Sequence, residues 1–162
     1  ERGVTSFTAD LAEMGFKAGS VVLERNVLTA AAAEVSEVLE LDPDAPVVRW
    51  RRLRTGDGDP IGLQTSVLPL TRFPGLEDVD LEERSLYGVL FERYGFLPTK
   101  AVDTYTVGLL RARDAKLLKV DANTPAFLVE RLTLGADGPL EHTRSVMRGD
   151  RYCVRLVLGN RH

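Results

Sequence analysis

The stretch Val47–Leu68, VVRWRRLRTGDGDPIGLQTSVL, sets the architecture. Two runs, Val47 to Arg54 and Ile61 to Leu68, flank the glycine-rich Gly56-Asp57-Gly58, which is the pattern of a β-hairpin. Side chains two apart on a strand share a face. Trp50, Arg52 and Arg54 therefore point one way, and Arg49, Arg51 and Leu53 the other. A three-residue turn at Gly56-Asp57-Gly58 places Arg52 opposite Gly62 and Trp50 opposite Gln64. Gly62 would then leave room beside Arg52 for a bound group, with Gln64 on the same face. A different loop length changes these partners.

Outward from this hairpin, a second one reads from Ala126 to Leu134 and from Leu140 to Arg148, across Gly135-Ala136-Asp137-Gly138. Further strands are expected over Val21 to Leu28, near Ala101 to Leu109, and over Tyr152 to Leu158. In the last of these, Tyr152, Val154, Leu156 and Leu158 alternate inward. Ser6 to Met14 reads as a short helix, capped by Ser6 or Thr8 and stopped by Gly15. Thr29 can cap a helix over Ala30 to Leu39, with Ala31, Val35, Val38 and Leu39 as its apolar stripe. Ser85 to Tyr94 is a capped helix with Leu86, Val89 and Leu90 inward and Gly95 as its stop. A short helix follows near Arg113 to Lys119. Helices and hairpins mix without a run of βαβ units, which predicts an α+β domain: a largely antiparallel sheet with helices on one side.

The 162 residues suit one domain, 1–162, with one core. With 44% hydrophobic and 28% charged residues, the chain has the balance of a soluble globular protein. No apolar run approaches the roughly 18–20 residues of a membrane helix, and no signal-peptide pattern opens the chain. The single cysteine, Cys153, excludes an internal disulfide and a cysteine zinc cluster, in keeping with a reducing cytoplasm. A net charge of −3 argues against this chain gripping DNA by itself, because nucleic-acid binders carry a basic face. No membrane partner is expected.

The candidate site is assembled from short polar pieces at helix mouths and on strands. Four arginines fall within residues 49–54. They read either as a solvated sheet edge paired with carboxylates or, for Arg52 and Arg54, as a buried pair under a helix layer. Buried guanidiniums need a counter-group, and an anionic ligand is one. Ser85 and the Ser6-Phe7-Thr8 stretch offer hydroxyls at helix starts, where an anion is favoured. Tyr87 is either a core aromatic or a ligand contact. Glu141, after Pro139, reads as a surface charge or as an acceptor for ligand hydroxyl or amide groups. His142 and His162 are too few and too far apart for a metal site. Gly56-Asp57-Gly58 is a turn and not a nucleotide loop, and Arg148-Gly149-Asp150 also reads as a turn. No Ser/His/Asp or Cys/His arrangement is evident. No catalytic residue, metal or cofactor is expected.

The ordered series Ser6-Phe7-Thr8, Arg52-Leu53-Arg54 with Gly58-Asp59-Pro60-Ile61, Ser85-Leu86-Tyr87, Pro139-Leu140-Glu141 and Arg148-Gly149-Asp150-Arg151-Tyr152 resembles the UTRA domain of GntR-superfamily transcription regulators, in the HutC subfamily. The resemblance covers the chain from Val4 to about Leu158. It implies a chorismate-lyase-like fold, an antiparallel sheet flanked by helices, in an effector-binding and dimerisation domain. Such a domain normally follows an N-terminal winged helix-turn-helix, absent from this chain, that binds operator DNA. The resemblance also implies a cytoplasmic homodimer that acts as a repressor and responds allosterically to a small, mostly anionic metabolite. In members that bind amino-sugar phosphates, the residues matching Arg52 and Arg54 hold the phosphate, helped by those matching Phe7, Thr8, Ser85 and Tyr87. A glutamate in the arginine hairpin and the one matching Glu141 contact the sugar. Here Gln64 stands in place of the first glutamate, and Met147 stands where some members have tyrosine. The expected ligand-binding set is therefore Ser6, Phe7, Thr8, Arg52, Arg54, Gln64, Ser85, Tyr87, Glu141 and Met147, with a phosphorylated or carboxylated ligand. Two alternatives stand beside it. One is a dimerisation module with a degenerate pocket. The other is an enzyme similar to chorismate lyase, using Glu141 with Arg52 or Arg54.

Overall fold

A computed structural model describes residues 4–160; His162, one of the two histidines, lies outside them. Six antiparallel strands form one sheet: β1 (Ala18–Thr29), β2 (Pro46–Gly56), β3 (Asp59–Pro69), β4 (Lys100–Leu109), β5 (Pro125–Gly135) and β6 (Gly138–Arg148). Their order across the sheet is β1-β2-β3-β6-β5-β4. The two hairpins thus sit side by side through β3 and β6, and β1 and β4 are the edges. Among the described residues no helix is long and apolar enough to cross a membrane.

Among the described residues three α-helices, α1 (Phe7–Glu13), α2 (Leu86–Tyr94) and α3 (Ala112–Leu118), and a short 3-10 helix at Leu76–Asp78 accompany the sheet. Ser6 caps α1 by accepting from the Ala9 amide at 3.1 Å. Ser85 caps α2 through a long 3.4 Å contact to the Gly88 amide. Gly95, left-handed at φ 65°, ends α2 as a residue without a Cβ can. Leu86, Val89 and Leu90 of α2 pack on Val48, Trp50 and Leu68, the face of β2 and β3 that also carries the two arginines. Leu11 of α1 packs beside them on Ile61, Met147 and Tyr152. The expectation of helices on one side holds for α1 and α2 only. Ala115 and Leu118 of α3 pack on Leu63, with Leu53 and Val146, residues that alternate with the arginine-bearing positions and so lie on the opposite face.

The first hairpin turns more tightly than its glycines suggested. Asp57 (φ 52°) and Gly58 (φ 84°) form a two-residue turn with both backbones left-handed, the geometry that matches strand twist. A bulge between Arg54 and Thr55 takes up the difference. Arg54 therefore faces Gly62, Arg52 faces Gln64 and Trp50 faces Ser66, a shift of two residues from the expected register. A shift of two preserves parity, so Trp50, Arg52 and Arg54 still share a face. Gly62 leaves no room for a ligand, because Met147 Sδ occupies the space that a Cβ would need there.

Two other expectations fail. Residues 30–39 are not a helix. The amides of Ala30 and Ala31 bond to the carbonyls of Ala45 and Pro43, so the two ends of this connection are pinned together. Left-handed Glu34 (φ 58°) and Glu40 (φ 53°) break the segment into separate turns. Its apolar residues are still buried: Ala30, Val35 and Leu39 form a cluster with Val47 and Val67. Tyr152–Leu158 is not a strand either. Tyr152 turns inward against Phe7 and Phe127, with ring centroids 6.5 and 5.9 Å away, while Leu156 and Leu158 are 72% and 89% exposed. No described strand pairs with this segment.

Candidate functional site

Between α1, α2 and the inner sheet face lies a cleft of about 580 Å³, counting the space at its mouth. That is within the usual size of small-molecule sites. All ten residues singled out from the sequence line it: Ser6, Phe7, Thr8, Arg52, Arg54, Gln64, Ser85, Tyr87, Glu141 and Met147. Strand alternation explains the convergence. Arg52 and Arg54 on β2, Gln64 on β3, and Glu141 and Met147 on β6 all fall on the same side of the sheet, and the caps of α1 and α2 come down over them.

The floor beneath β2 and β3 is cationic. Arg52 and Arg54 are 2% and 3% exposed, far below what a guanidinium normally tolerates. Arg52 Nη2 donates to Gln64 Oε1 at 3.0 Å, and Arg54 Nη1 donates to the same oxygen at 3.1 Å. Arg54 Nη2 donates to Thr8 Oγ1 at 2.9 Å, and the guanidinium lies 4.5 Å from the centre of the Phe7 ring. Neither arginine forms an ion pair with a carboxylate among the described residues, and Arg52 Nε, Arg52 Nη1 and Arg54 Nε have no partner. Burial lowers Arg52 to about 10, against a partial pull upward from Glu141. Burial and the neighbouring charge of Arg52 lower Arg54 to about 9, offset in part by Glu83. Both stay charged at neutral pH. The helix starts contribute side chains here: a hydroxyl from Thr8 and a ring face from Phe7.

Glu141 stands on β6 beside this pair, 3% exposed. Thr143 donates to its Oε1 at 2.6 Å, while Oε2 is buried without a partner. Burial pushes its carboxyl above the ordinary carboxylate range, against the Thr143 hydroxyl and the nearby Arg131 and Arg52. Tyr87 of α2 has its hydroxyl 2.9 Å from Thr133 Oγ1, and burial raises it to about 12.

The β4–β5 side of the cleft was not foreseen. Asp103 and Arg131 are direct partners in the β4–β5 register and form a two-pronged ion pair at 2.7 and 2.8 Å. Arg131 Nη1 also donates to the Thr5 carbonyl at 2.6 Å and lies 3.4 Å from the Tyr87 hydroxyl. Burial would lower the Arg131 pKa, but the Asp103 bonds carry it upward. Asp10, Tyr105, Thr143, Ser145 and Tyr152 also line the cleft. Thr143 and Ser145 were recoverable from the sequence, since they follow Glu141 at steps of two on one strand face. Asp103 and Arg131 were not, because 28 residues separate them and only the register joins them.

The arrangement brings guanidinium nitrogens and a carboxylate oxygen, all without hydrogen-bond partners, to one cleft. Residues 13–153 match the profile of the UTRA domain. The chain is 38% identical over 157 residues to the HTH-type transcriptional repressor PhnF of Mycolicibacterium smegmatis, covering 96% of this chain and 64% of that one. It is 26% identical over 153 residues to the HTH-type transcriptional repressor NagR of Bacillus subtilis, covering 93% and 62%. The chain therefore spans just under two-thirds of the length of these repressors. The crystal structure of the effector domain of PhnF from Mycobacterium smegmatis superposes with a TM-score of 0.89 at 38% identity over 98% of both chains. The chain belongs to the UTRA domain family of GntR-type transcription regulators.

Proposed function

We propose that this domain is the effector-sensing unit of a bacterial transcriptional repressor, binding a small phosphorylated or similarly oxygen-rich anion on Arg52 and Arg54. The supporting observation is the pair of buried guanidiniums with three unpartnered nitrogens and, among the described residues, no carboxylate ion pair. A buried charge left in that state is costly, and a ligand that binds only the folded protein relieves the cost. Glu141 Oε2, also buried and unpartnered, would accept from a hydroxyl or amide of the same ligand. The names of the similar proteins support repression, not catalysis.

In this reading the effector favours one arrangement of a cytoplasmic homodimer and so changes the DNA affinity of a separate winged helix-turn-helix. Support for self-association comes from edge strand β4, where Val107 and Leu109 are 77% and 62% exposed. Thermal unfolding against sugar phosphates, other phosphorylated metabolites and small carboxylates tests the site. A ligand at about 100 times its dissociation constant should add ~2.7 kcal/mol, and Arg52→Ala should remove that gain. A panel with no shift, or a shift that survives Arg52→Ala, would contradict the proposal.

A further inference from the structure

Arg131 on β5 meets three neighbours at once. Asp103 on β4 takes its Nε at 2.7 Å and its Nη2 at 2.8 Å, a fork that fixes the plane of the guanidinium. Nη1 is left to serve other acceptors. It donates to the Thr5 carbonyl at 2.6 Å and lies 3.4 Å from the Tyr87 hydroxyl. Thr5 precedes α1, and Tyr87 is the second residue of α2. One side chain therefore touches the starts of both helices that roof the cleft. The shorter of them depends on such ties. The seven residues of α1 are fewer than the ~12–15 that hold a helix alone in water, and its buried residue, Leu11, sits in its second turn. Its first turn is anchored by cleft side chains: Thr8 accepts from Arg54 Nη2 at 2.9 Å, and the Phe7 ring lies 4.5 Å from that guanidinium. The Thr5 hydroxyl adds a bond to Asp10 Oδ1 at 2.6 Å. Arg54 thus holds α1 from the β2 side, just inside the helix, and Arg131 holds it from the β5 side, just before it.

We propose that Arg131 is a positioning residue for ligand binding: by fixing the Thr5 carbonyl it sets where the first turn of α1 places Phe7 and Thr8 over Arg54, and so couples the cleft to the chain entering that helix. The inference rests on the anion-sensing reading above for its ligand, and in this role Arg131 needs no contact with that ligand. Linkage makes the effect reciprocal. A ligand that binds better when the first turn of α1 is in place also holds that turn in place. A lysine at position 131 would keep a charge for Asp103. Its single ammonium has no rigid fork, so it cannot hold both carboxylate oxygens and aim a separate donor at Thr5. Losing a hydrogen bond from a charged donor corresponds to about tenfold or more in an equilibrium constant.

Hydrogen exchange reads that turn directly, because the Ala9 amide bonds to Ser6 Oγ at 3.1 Å and the Asp10 amide to the Ser6 carbonyl at 3.0 Å. The 162-residue chain and its Arg131→Lys variant are compared, free and with methyl phosphate, whose affinity for each is measured calorimetrically. In the free variant the Ala9 and Asp10 amides should exchange about tenfold faster, relative to the amides paired between β2 and β3. The variant should bind methyl phosphate at least ~fivefold more weakly, and in the unaltered chain methyl phosphate should slow the same two amides. Faster exchange confined to the β4–β5 ladder, or an affinity equal to that of the unaltered chain, would overturn the positioning role and leave the anion site standing. Failure of methyl phosphate to bind the unaltered chain would overturn the anion-sensing reading and this inference with it. If Arg131→Lys does not fold, the unaltered chain decides: slowing of the Ala9 and Asp10 amides by methyl phosphate supports the coupling, and unchanged exchange there overturns it.

Discussion

The two ends of the cleft hold the same kind of side chain in opposite conditions. On the β4–β5 side, Arg131 has a matched carboxylate in Asp103, a backbone carbonyl from Thr5 and a phenol from Tyr87. On the β2–β3 side, Arg52 and Arg54 share one neutral amide oxygen, and three of their nitrogens have no hydrogen-bond partner. Arg131 joins β5, β4, α2 and the segment entering α1, and so serves the architecture. Arg52 and Arg54 are held in place without a paired carboxylate among the described residues, which is why the proposed ligand is placed on them. Exposure does not separate the two ends, since the satisfied Arg131 side chain, at 17%, is the more exposed. What separates them is whether the protein itself supplies the counter-charge.

Breaking the satisfied end should have the largest effect. Asp103→Asn leaves the Arg131 charge without its carboxylate. A fully buried pair broken in this way costs about 3–5 kcal/mol. With side chains 17% and 23% exposed, solvent screens part of that, and we expect about 2–3 kcal/mol by denaturant titration. An unchanged midpoint would mean that the Arg131 contacts do not organise the fold.

A smaller effect sharpens the comparison from the side of Glu141. Its folded-state pKa lies above the ordinary 4.5, chiefly through burial. A group raised in the folded state contributes stability that is fully present below the unfolded value and is lost as pH rises through the folded one. The ligand-free domain should therefore lose stability as pH rises from about 4.5, by ~1.4 kcal/mol for each unit of upward shift. Glu141→Gln, which cannot ionise, should flatten that part of the profile. Thermal unfolding of both proteins between pH 4 and pH 8 measures it, and identical profiles would show that Glu141 does not carry the effect.

Much of this was legible because it rests on local chemistry. The glycine-rich turns marked both hairpins, Gly95 marked the end of α2, and strand parity put Trp50, Arg52 and Arg54 on one face even with the register off by two. The ten candidate residues came from the family resemblance, not from local chemistry, and all ten line one cleft. The misses have physical causes. Glu34 and Glu40 adopt left-handed backbones that their side chains do not advertise, so an apolar spacing that looked helical became a chain of turns. The alternation in Tyr152–Leu158 resembled a strand, yet no described strand offers it a ladder. Gly62 suggested open space, but its neighbour across the ladder, Met147, fills it. Asp103 and Arg131 resemble ordinary surface charges until the β4–β5 register sets them opposite each other.

The most direct test pairs the two ends in one experiment: thermal unfolding of Arg54→Met and Arg131→Met, each with and without methyl phosphate at pH 8. Arg54→Met should unfold within about 1 kcal/mol of the unaltered chain when ligand-free, because exchanging an unfinished buried charge for an apolar side chain is often neutral or stabilising, and it should lose the ligand-induced gain. Arg131→Met should be clearly destabilised without ligand, since Asp103 is then left unpaired. The reverse pattern, a severe ligand-free loss in Arg54→Met together with an undiminished response to methyl phosphate, would contradict the assignment of Arg52 and Arg54 as the ligand's counter-charge.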